Sequence, residues 1–369
     1  MSPILIERIQ TIIVDLPTIR PHKLAMHTMQ QQTLVIIRVQ CSDGIEGIGE
    51  ATTIGGLAYG NESPESIKQN IDSHLGPLLV GQEAANINAA MLRLDRAAKG
   101  NTFAKSGIES ALLDAQGKRL GLPVSELLGG RVRDSLEVAW TLASGNTAKD
   151  IEEAERMLDI RRHRIFKLKI GAGEVNADLN HVIAIKQALG ERASVRVDVN
   201  QAWDESVALR ACRVLGDNGI DLIEQPISRI NRGGQVRLNQ RSPAPIMADE
   251  SIESVEDAFS LAADGAASIF ALKIAKNGGP RAVLRTAQIA EAAGIEMRAD
   301  HPVGLVRLEP RRQSRVQLRG RHVRQHGLDP LAGIAAPDAV EVEGRVVEVA
   351  DDGVAPGHAI DPACDPVQP

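Results

Sequence analysis

An α/β architecture, a (β/α)-barrel behind an N-terminal α+β capping domain, is predicted by three observations. From about residue 135, short apolar strands alternate with amphipathic helices at a period of about 25–30 residues, the repeat of a barrel of TIM type. Before that point, alternating strands come first and helices follow. The 369-residue length holds about two domains at roughly 100–200 residues each. The expected division is a capping domain over 1–130, a barrel with strands one to six and the start of seven over 131–295, and an atypical segment over 296–369. The barrel is then a modified, incomplete one.

In the cap, Ile9 to Leu16 and Thr33 to Val39 alternate as strands. The turn Ser42-Asp43-Gly44 leads into a third short strand ending at Glu50. Pro64 to Leu79 reads as a helix because Ser63 can cap it and Pro64 sits at its first position. Phe103 to Leu120 is a second helix, stopped by Gly121-Leu122-Pro123. Barrel strands are expected at Glu137–Leu142, Ile165–Ile170, Ser194–Val199, Asp221–Glu224, Ile246–Ala248 and Ser268–Ile274. Between them Ala148–Leu158, Asp178–Leu189, Asp204–Leu215, Val255–Ala263 and Arg281–Ala293 have helical periodicity. Strand, helix, strand at this spacing gives right-handed crossovers and a parallel sheet. A doubly wound sheet would want a Gly-rich turn after an early strand, and none of these strands has one.

Composition excludes several classes of function. A net charge of −6 provides no general field for nucleic acid or an anionic membrane. Two Trp, one Tyr and four Phe leave little for base stacking, so the core is aliphatic. No run approaches the ~18–20 apolar residues of a membrane span. Cys41, Cys212 and Cys364 are far apart with no CxxC pair, which fits a reducing cytoplasm better than a disulfide framework. Lys105-Ser106 imitates the end of a phosphate loop, but Ala104 stands where that loop needs glycine, and a helix start is the better reading.

The chemistry-bearing residues fall at successive strand ends: Lys167 and Lys169, then Asp198 and Asn200, then Glu224, Asp249 and Lys273. The successive spacings between Asp198, Glu224, Asp249 and Lys273 are 26, 25 and 24 residues, one βα unit each. In a parallel barrel these ends face one mouth, where catalytic groups sit. Any one of the acids reads as a solvated loop residue. Three in register repel one another unless a cation neutralises them, and all-oxygen ligation favours Mn²⁺ or Mg²⁺ over zinc. Lys167 and Lys169 share one side of their strand, and like charges held together favour loss of a proton, which makes one amine a competent base. Simple pairing of lysines with acids is the plainer alternative. A Schiff-base lysine is another, but it needs no tricarboxylate site beside it.

Lys-x-Lys, Asp-x-Asn, Glu-Gln-Pro, Asp-Glu-Ser and a sixth-strand lysine resemble the enolase superfamily, whose pattern of a Lys base with Mg²⁺ stabilising an ene-diolate is a known one. Within it the chain is most similar to the muconate cycloisomerase (muconate lactonizing enzyme) family. The segments from Arg20 to His27 and from Thr52 to Gly60 carry that likeness, which extends over residues 1 to about 295. The resemblance implies an isomerase that reversibly lactonises cis,cis-muconate to muconolactone through a metal-stabilised enolate. It implies Lys169 as acid/base, Lys167 as its tuning neighbour and Lys273 as the cation stabilising the anion from the opposite face. Asp198, Glu224 and Asp249 would hold Mn²⁺, with Mg²⁺ as the alternative. Ile54, Tyr59, His22 and Asn200 would bind a small dicarboxylate. Cap segments 20–29 and 52–60 would close over it and exclude water. A homo-oligomer is implied by the resemblance alone. Chloromuconate cycloisomerisation, o-succinylbenzoate synthesis, dipeptide epimerisation and an inactive metal-binding relative are the alternatives.

Residues 296–369 depart from the family pattern. They hold nine arginines and eight of the 18 prolines, but no lysine and no aromatic. A solvated basic tail and a GC-rich coding sequence read out of frame both account for that composition. Glu309 is a weak match to the glutamate that the family places after its seventh strand. If this segment is the true translation, the barrel lacks its closing strand and keeps open edges. Stability and turnover are then expected to fall well below those of the family. Intact mass combined with a muconate assay checks this, and full turnover by a chain of the encoded mass contradicts it.

Overall fold

The computed structural model describes residues 3–23, 28–53, 57 and 60–299. Ile54, Tyr59, His27, Cys364, Glu309 and the Arg/Pro-rich segment from 300 onward lie outside the described residues. Two sheets organise the rest: an antiparallel three-stranded sheet and a parallel sheet of seven strands.

Strands β1 (Ile6–Lys23), β2 (Thr28–Cys41) and β3 (Glu46–Thr52) form the antiparallel sheet in sequential order. Its register sets Ile13 opposite Val35 and Ile37 opposite Gly49. β1 runs past the expected strand at both ends. His22 belongs to it, opposite Met29. Beyond the sheet come α1 (Pro64–Asn70) and α2 (Gly76–Leu79), joined by a π-turn over Ile71–Leu75. Ser63 and Ser66 close a capping box at the start of α1, as expected from Ser63-Pro64. The single helix predicted over 64–79 is interrupted because Pro77 has no amide hydrogen and cannot continue an ordinary ladder. The backbone widens one turn ahead of it, and Gly76 N–H donates to Ile71 O.

Helix α3 (Ile87–Ala97) was not expected; Asn86 caps it and Ile87, Ala90, Met91 and Leu94 are its buried face. Helix α4 (Thr102–Leu120) crosses the sheet and α5 (Val124–Leu127) ends the cap. Val35, Ile37, Val39, Ile67, Ile71, Leu75, Ile108 and Leu112 form the cap core. Burying each such side chain contributes about 1.5–3 kcal/mol. β3 and α4 touch backbone to backbone: a Cβ at Gly49 would stand 2.0 Å from Gly107 O, and one at Gly47 2.0 Å from Ala111 O.

The parallel sheet alternates strand and helix through β4 (Trp140–Leu142), α6 (Thr147–Asp159), β5 (Ile165–Lys169), α7 (Val175–Leu189) and β6 (Ser194–Asp198). It continues through α8 (Glu205–Asp217), β7 (Leu222–Glu224), α9 (Arg232–Arg241), β8 (Ile246–Ala248) and α10 (Val255–Asp264). The last units are β9 (Ile269–Leu272), α11 (Ile274–Asn277), α12 (Pro280–Ala292) and β10 (Glu296–Ala299). Spatial order follows chain order from β4 to β10, every pair parallel. The seventh strand is therefore built from the residues just past Ile295. Side-chain caps start most of the helices where the sequence turns polar: Asn146, Glu174, Asp204, Asn231 and Ser254 each accept a backbone N–H of the first turn. α9, with two glycines and a polar composition, carries too little apolar periodicity to be read from sequence.

Alternation within the strands divides the sheet. Phe166, Leu168, Val195, Val197, Ile223 and Ile246 pack with helix residues such as Val182, Ile185 and Leu215 in the larger core. Leu222, Met247, Ile269 and Ala271 make a separate small cluster on the other face. Two residues on from three of these stand Glu224, Asp249 and Lys273, so the same parity carries the polar groups to the mouth above an apolar floor.

Replacing Gly49 with Ala is expected to lower stability by about 1–3 kcal/mol, because α4 must shift away from β3. Urea denaturation measures this, and an unchanged midpoint contradicts the close approach.

Candidate active site

Register brings the expected residues together. Lys169, Asp198 and Glu224 are direct partners across β5, β6 and β7. Asp198, Glu224 and Asp249 are fully buried, and Lys167 is nearly so. Lys167 Nζ lies 2.5 Å from Glu224 Oε2 and 3.2 Å from Asp198 Oδ2. Lys169 Nζ lies 3.1 Å from the same Asp198 oxygen and donates to Asn200 Oδ1 at 3.1 Å. Both lysines thus point to one side of β5 and share a carboxylate, as their two-residue spacing required.

On the facing strands, Lys273 Nζ lies 2.5 Å from Asp249 Oδ2. Lys276, which sequence reading did not single out, is buried and pairs with the other oxygen, Asp249 Oδ1, at 2.6 Å. It also donates to the Asp249 carbonyl. The signal was present: Lys273-Ile274-Ala275-Lys276 spaces two lysines by one helical turn at a strand end. Glu250 stands beside Asp249, its Oε1 accepting from Asn200 Nδ2 at 3.1 Å and its buried Oε2 lacking a hydrogen-bond donor.

The backbone at the strand ends is held in unusual conformations. Asn200, Gln201 and Gln225 have φ of 45°, 67° and 35°, a left-handed region that side chains other than glycine's adopt at a cost. Gln225 is a second residue that sequence reading quoted without assigning it work. Its buried Oε1 accepts from Asp249 N at 3.0 Å, Ser251 N at 3.2 Å and Ser251 Oγ at 3.0 Å, which fixes the Asp249 turn.

Electrostatics follow from these contacts. Burial pushes the Asp198 carboxyl up, but Lys167 and Lys169 outweigh it and leave it below its ordinary range, with Asp249 opposing them. Burial acts the same way on Asp249, and Lys273 and Lys276 hold it well below the ordinary range. Glu250 goes the other way. Burial, reinforced by the charges of Asp249 and Asp198, pushes it up to about 7 against Lys273 and the Asn200 amide.

Four buried acids stand on three consecutive strand ends, and carboxylate oxygens are the donor type that a hard divalent ion takes. The Oε2 atom of Glu250 adds a buried acceptor without a donor. The donor chemistry therefore fits a divalent cation. As the side chains stand, Lys167, Lys169, Lys273 and Lys276 neutralise Asp198, Glu224 and Asp249. Among the described residues no three acidic, histidine or cysteine side chains converge closely enough to chelate a metal. Of the other expected substrate contacts, Ile54 and Tyr59 lie outside the described residues, and His22 is described only as backbone of β1. Cys41 and Cys212 are buried free thiols, packed in the cap core and in the larger core of the parallel sheet respectively. Among the described residues no helix is long and apolar enough to cross a membrane.

Known proteins resemble this chain closely. The family model described as mandelate racemase / muconate lactonizing enzyme, N-terminal domain, matches residues 8–129, and that described as enolase C-terminal domain-like matches 149–365. Muconate cycloisomerase 1 of Pseudomonas putida is 84% identical over 299 residues, 80% of each chain. A chloromuconate cycloisomerase of Pseudomonas sp. (strain P51) is 47% identical over 290 residues, 79% of this chain and 78% of its own. The crystal structure of a muconate lactonizing enzyme from Pseudomonas fluorescens, complexed with muconolactone, superposes with a TM-score of 0.79 at 81% identity, covering 80% of each chain.

Replacing Lys167 with Met is expected to lower stability by about 3–5 kcal/mol in divalent-ion-free buffer, since it strips a buried ammonium from two buried carboxylates. Urea unfolding checks this; a wild-type midpoint would mean that Asp198 and Glu224 do not depend on that ammonium.

Proposed function

The chain belongs to the mandelate racemase / muconate lactonizing enzyme family of the enolase superfamily, is an isomerase acting on a small molecule, and we propose that Lys169 drives its reaction, the cycloisomerisation of muconate. The observation that carries this reading is the position of Lys169. Its side chain is the least buried of the four lysines paired to Asp198, Glu224 and Asp249, 17% exposed against 5% for Lys167, so it can meet a substrate that Lys167 cannot.

In the forward direction one carboxylate of cis,cis-muconate adds to the far double bond and closes the lactone ring. The electron pair moves toward the other carboxylate and gives an enolate anion. Lys169 Nζ delivers a proton to the carbon beside that enolate and takes it back in reverse. Asn200 Oδ1 and Asp198 Oδ2 hold that nitrogen in place. Lys167 presses a second positive charge against the same Asp198 oxygen, so the two ammoniums share one carboxylate. Lys273, on the far side of Asp249, places a fixed positive charge where the anion develops.

Enzymes of this superfamily use a divalent metal. In this reading Asp198, Glu224 and Asp249 hold it, with Mn²⁺ preferred to Mg²⁺. Bound there, it supplies Lewis-acid stabilisation of negative charge growing on a substrate carboxylate. The residues around it bind, orient and exclude water. The apolar floor of Leu222, Met247, Ile269 and Ala271 lowers the local dielectric and strengthens each charge above it. The division into a cap over 1–130 and a barrel beyond it belongs to the same proposal. So do Ile54, Tyr59, His22 and Asn200 as substrate contacts, a homo-oligomeric assembly and a cytoplasmic location.

Lys169→Ala is expected to lower kcat on muconate by about 10²–10⁴-fold with KM changed little. Circular dichroism establishes that the variant is folded. An unchanged rate places the activity elsewhere or in a contaminant. A parallel panel of chloromuconate, an o-succinylbenzoate precursor and dipeptides separates this activity from its relatives, since the lysines and acids are common to all of them.

A further inference from the structure

The cap and the parallel sheet meet at a contact that reaches the catalytic mouth through consecutive hydrogen bonds. Glu109, in the middle of α4, is buried and faces the turn that starts α12. Its Oε2 accepts from Arg281 N at 3.1 Å, across 172 residues of sequence. Arg281 Nη1 stands 3.6 Å from Oε1. Gly279 has φ of +125°, and a Cβ there would lie 2.1 Å from Glu109 Oε2, so the carboxylate occupies the space a side chain would need.

From this turn the bonds run inward. Gly279 N donates to Ile274 O at 2.9 Å, Gly278 N to Ala275 O at 3.2 Å and Asn277 N to Lys273 O at 3.1 Å. The Asn277 side chain ties two strand ends together. Its Oδ1 accepts from Lys273 N at 3.3 Å, and its Nδ2 donates to Ile252 O at 3.2 Å. Ile252 N in turn donates to Asp249 O at 2.9 Å, and Lys276 reaches both that carbonyl and the carboxylate. α11, the single turn carrying Lys276, packs directly on α4.

We propose that Glu109 is a positioning residue, a clasp from the cap that fixes the Lys273–Arg281 turn and thereby sets Lys273 and Lys276 against Asp249. An apolar side chain could fill the same space. Only an acceptor satisfies the Arg281 amide, which as an early donor of α12 has no partner within its own helix. Burial leaves the Glu109 carboxyl above its ordinary range, against the lowering pull of the Arg281 amide and of the Arg281 and Arg285 charges. The acceptor oxygen, common to carboxylate and amide, is therefore what the clasp requires. Docking of the cap and placement of two lysines become one event, and a displacement of about 1 Å at such groups costs on the order of 10²-fold in rate. This inference rests on the catalytic roles proposed above for the lysines.

The test compares Glu109→Ala and Glu109→Gln in the metal-loaded full chain, below the melting transition of each variant. Glu109→Ala is expected to lower kcat by about 10–10²-fold while KM stays within about twofold. Glu109→Gln, which keeps an acceptor for the Arg281 amide, is expected to recover most of that loss. Amide hydrogen exchange over residues 273–281 should quicken in the Ala variant only, with residues 195–199 unchanged in both. Wild-type kcat in Glu109→Ala, failure of Gln to rescue, or unaltered exchange at 273–281 overturns the clasp. A wild-type chain without turnover overturns the functional reading instead, and the exchange comparison then still decides whether Glu109 holds the turn.

Discussion

Opposite charges buried side by side at the strand ends constrain everything else in this molecule. Asp198, Glu224 and Asp249 are withdrawn from water, and each is met by at least one lysine ammonium at 2.5–3.2 Å. Isolated buried carboxylates would cost several kcal/mol each in lost hydration and would protonate instead. Paired with lysines, Asp198 and Asp249 are held below the ordinary carboxylate range even against burial and stay ionised. A mouth built this way offers both signs of charge at once. The acids present oxygen donors, and the lysines present positive charge to a dicarboxylate substrate.

The surrounding structure serves that arrangement. One strand per acid and alternating side-chain parity aim the charges upward, while Leu222, Met247, Ile269 and Ala271 fill the space beneath. Gln225 spends its carbonyl on three donors around Asp249, and its left-handed backbone is tolerated because that hydrogen bonding over-determines it. Glu250 shows what happens without a close lysine: a carboxyl in the same cluster is pushed up to about 7 by burial and by its ionised neighbours. Lysine placement, rather than burial alone, separates the charged acids from this one.

Much of this was legible in the sequence because repetition makes geometry. Spacings of 24 to 26 residues between Asp198, Glu224, Asp249 and Lys273 are one unit of a parallel sheet, so these four fall at neighbouring strand ends on one mouth. The Lys167–Lys169 alternation likewise required both to face Asp198. Lys276 leaves only its one-turn spacing from Lys273 as a trace, because α11 is a single turn too short to show apolar periodicity. Gln225 was overlooked because its work is a hydrogen-bonded backbone turn, and an amide carries no charge pattern. α9 was missed because Arg232-Gly233-Gly234 lacks the apolar spacing that marks a helix, and burial of Gly234, Gln235 and Leu238 against its neighbours supplies the stability instead. Glu109 was invisible for another reason: its partner lies 172 residues away.

Divalent-ion binding by calorimetry, with Mn²⁺ titrated into the wild-type chain and into Asp198→Asn, Glu224→Gln and Asp249→Asn, bears most directly on the central claim. One ion per wild-type chain, with affinity weakened at least about tenfold in each variant, is the expected result. Equal affinity across all four proteins would contradict a shared oxygen site at these strand ends and would leave the lysines as the only cations the acids serve.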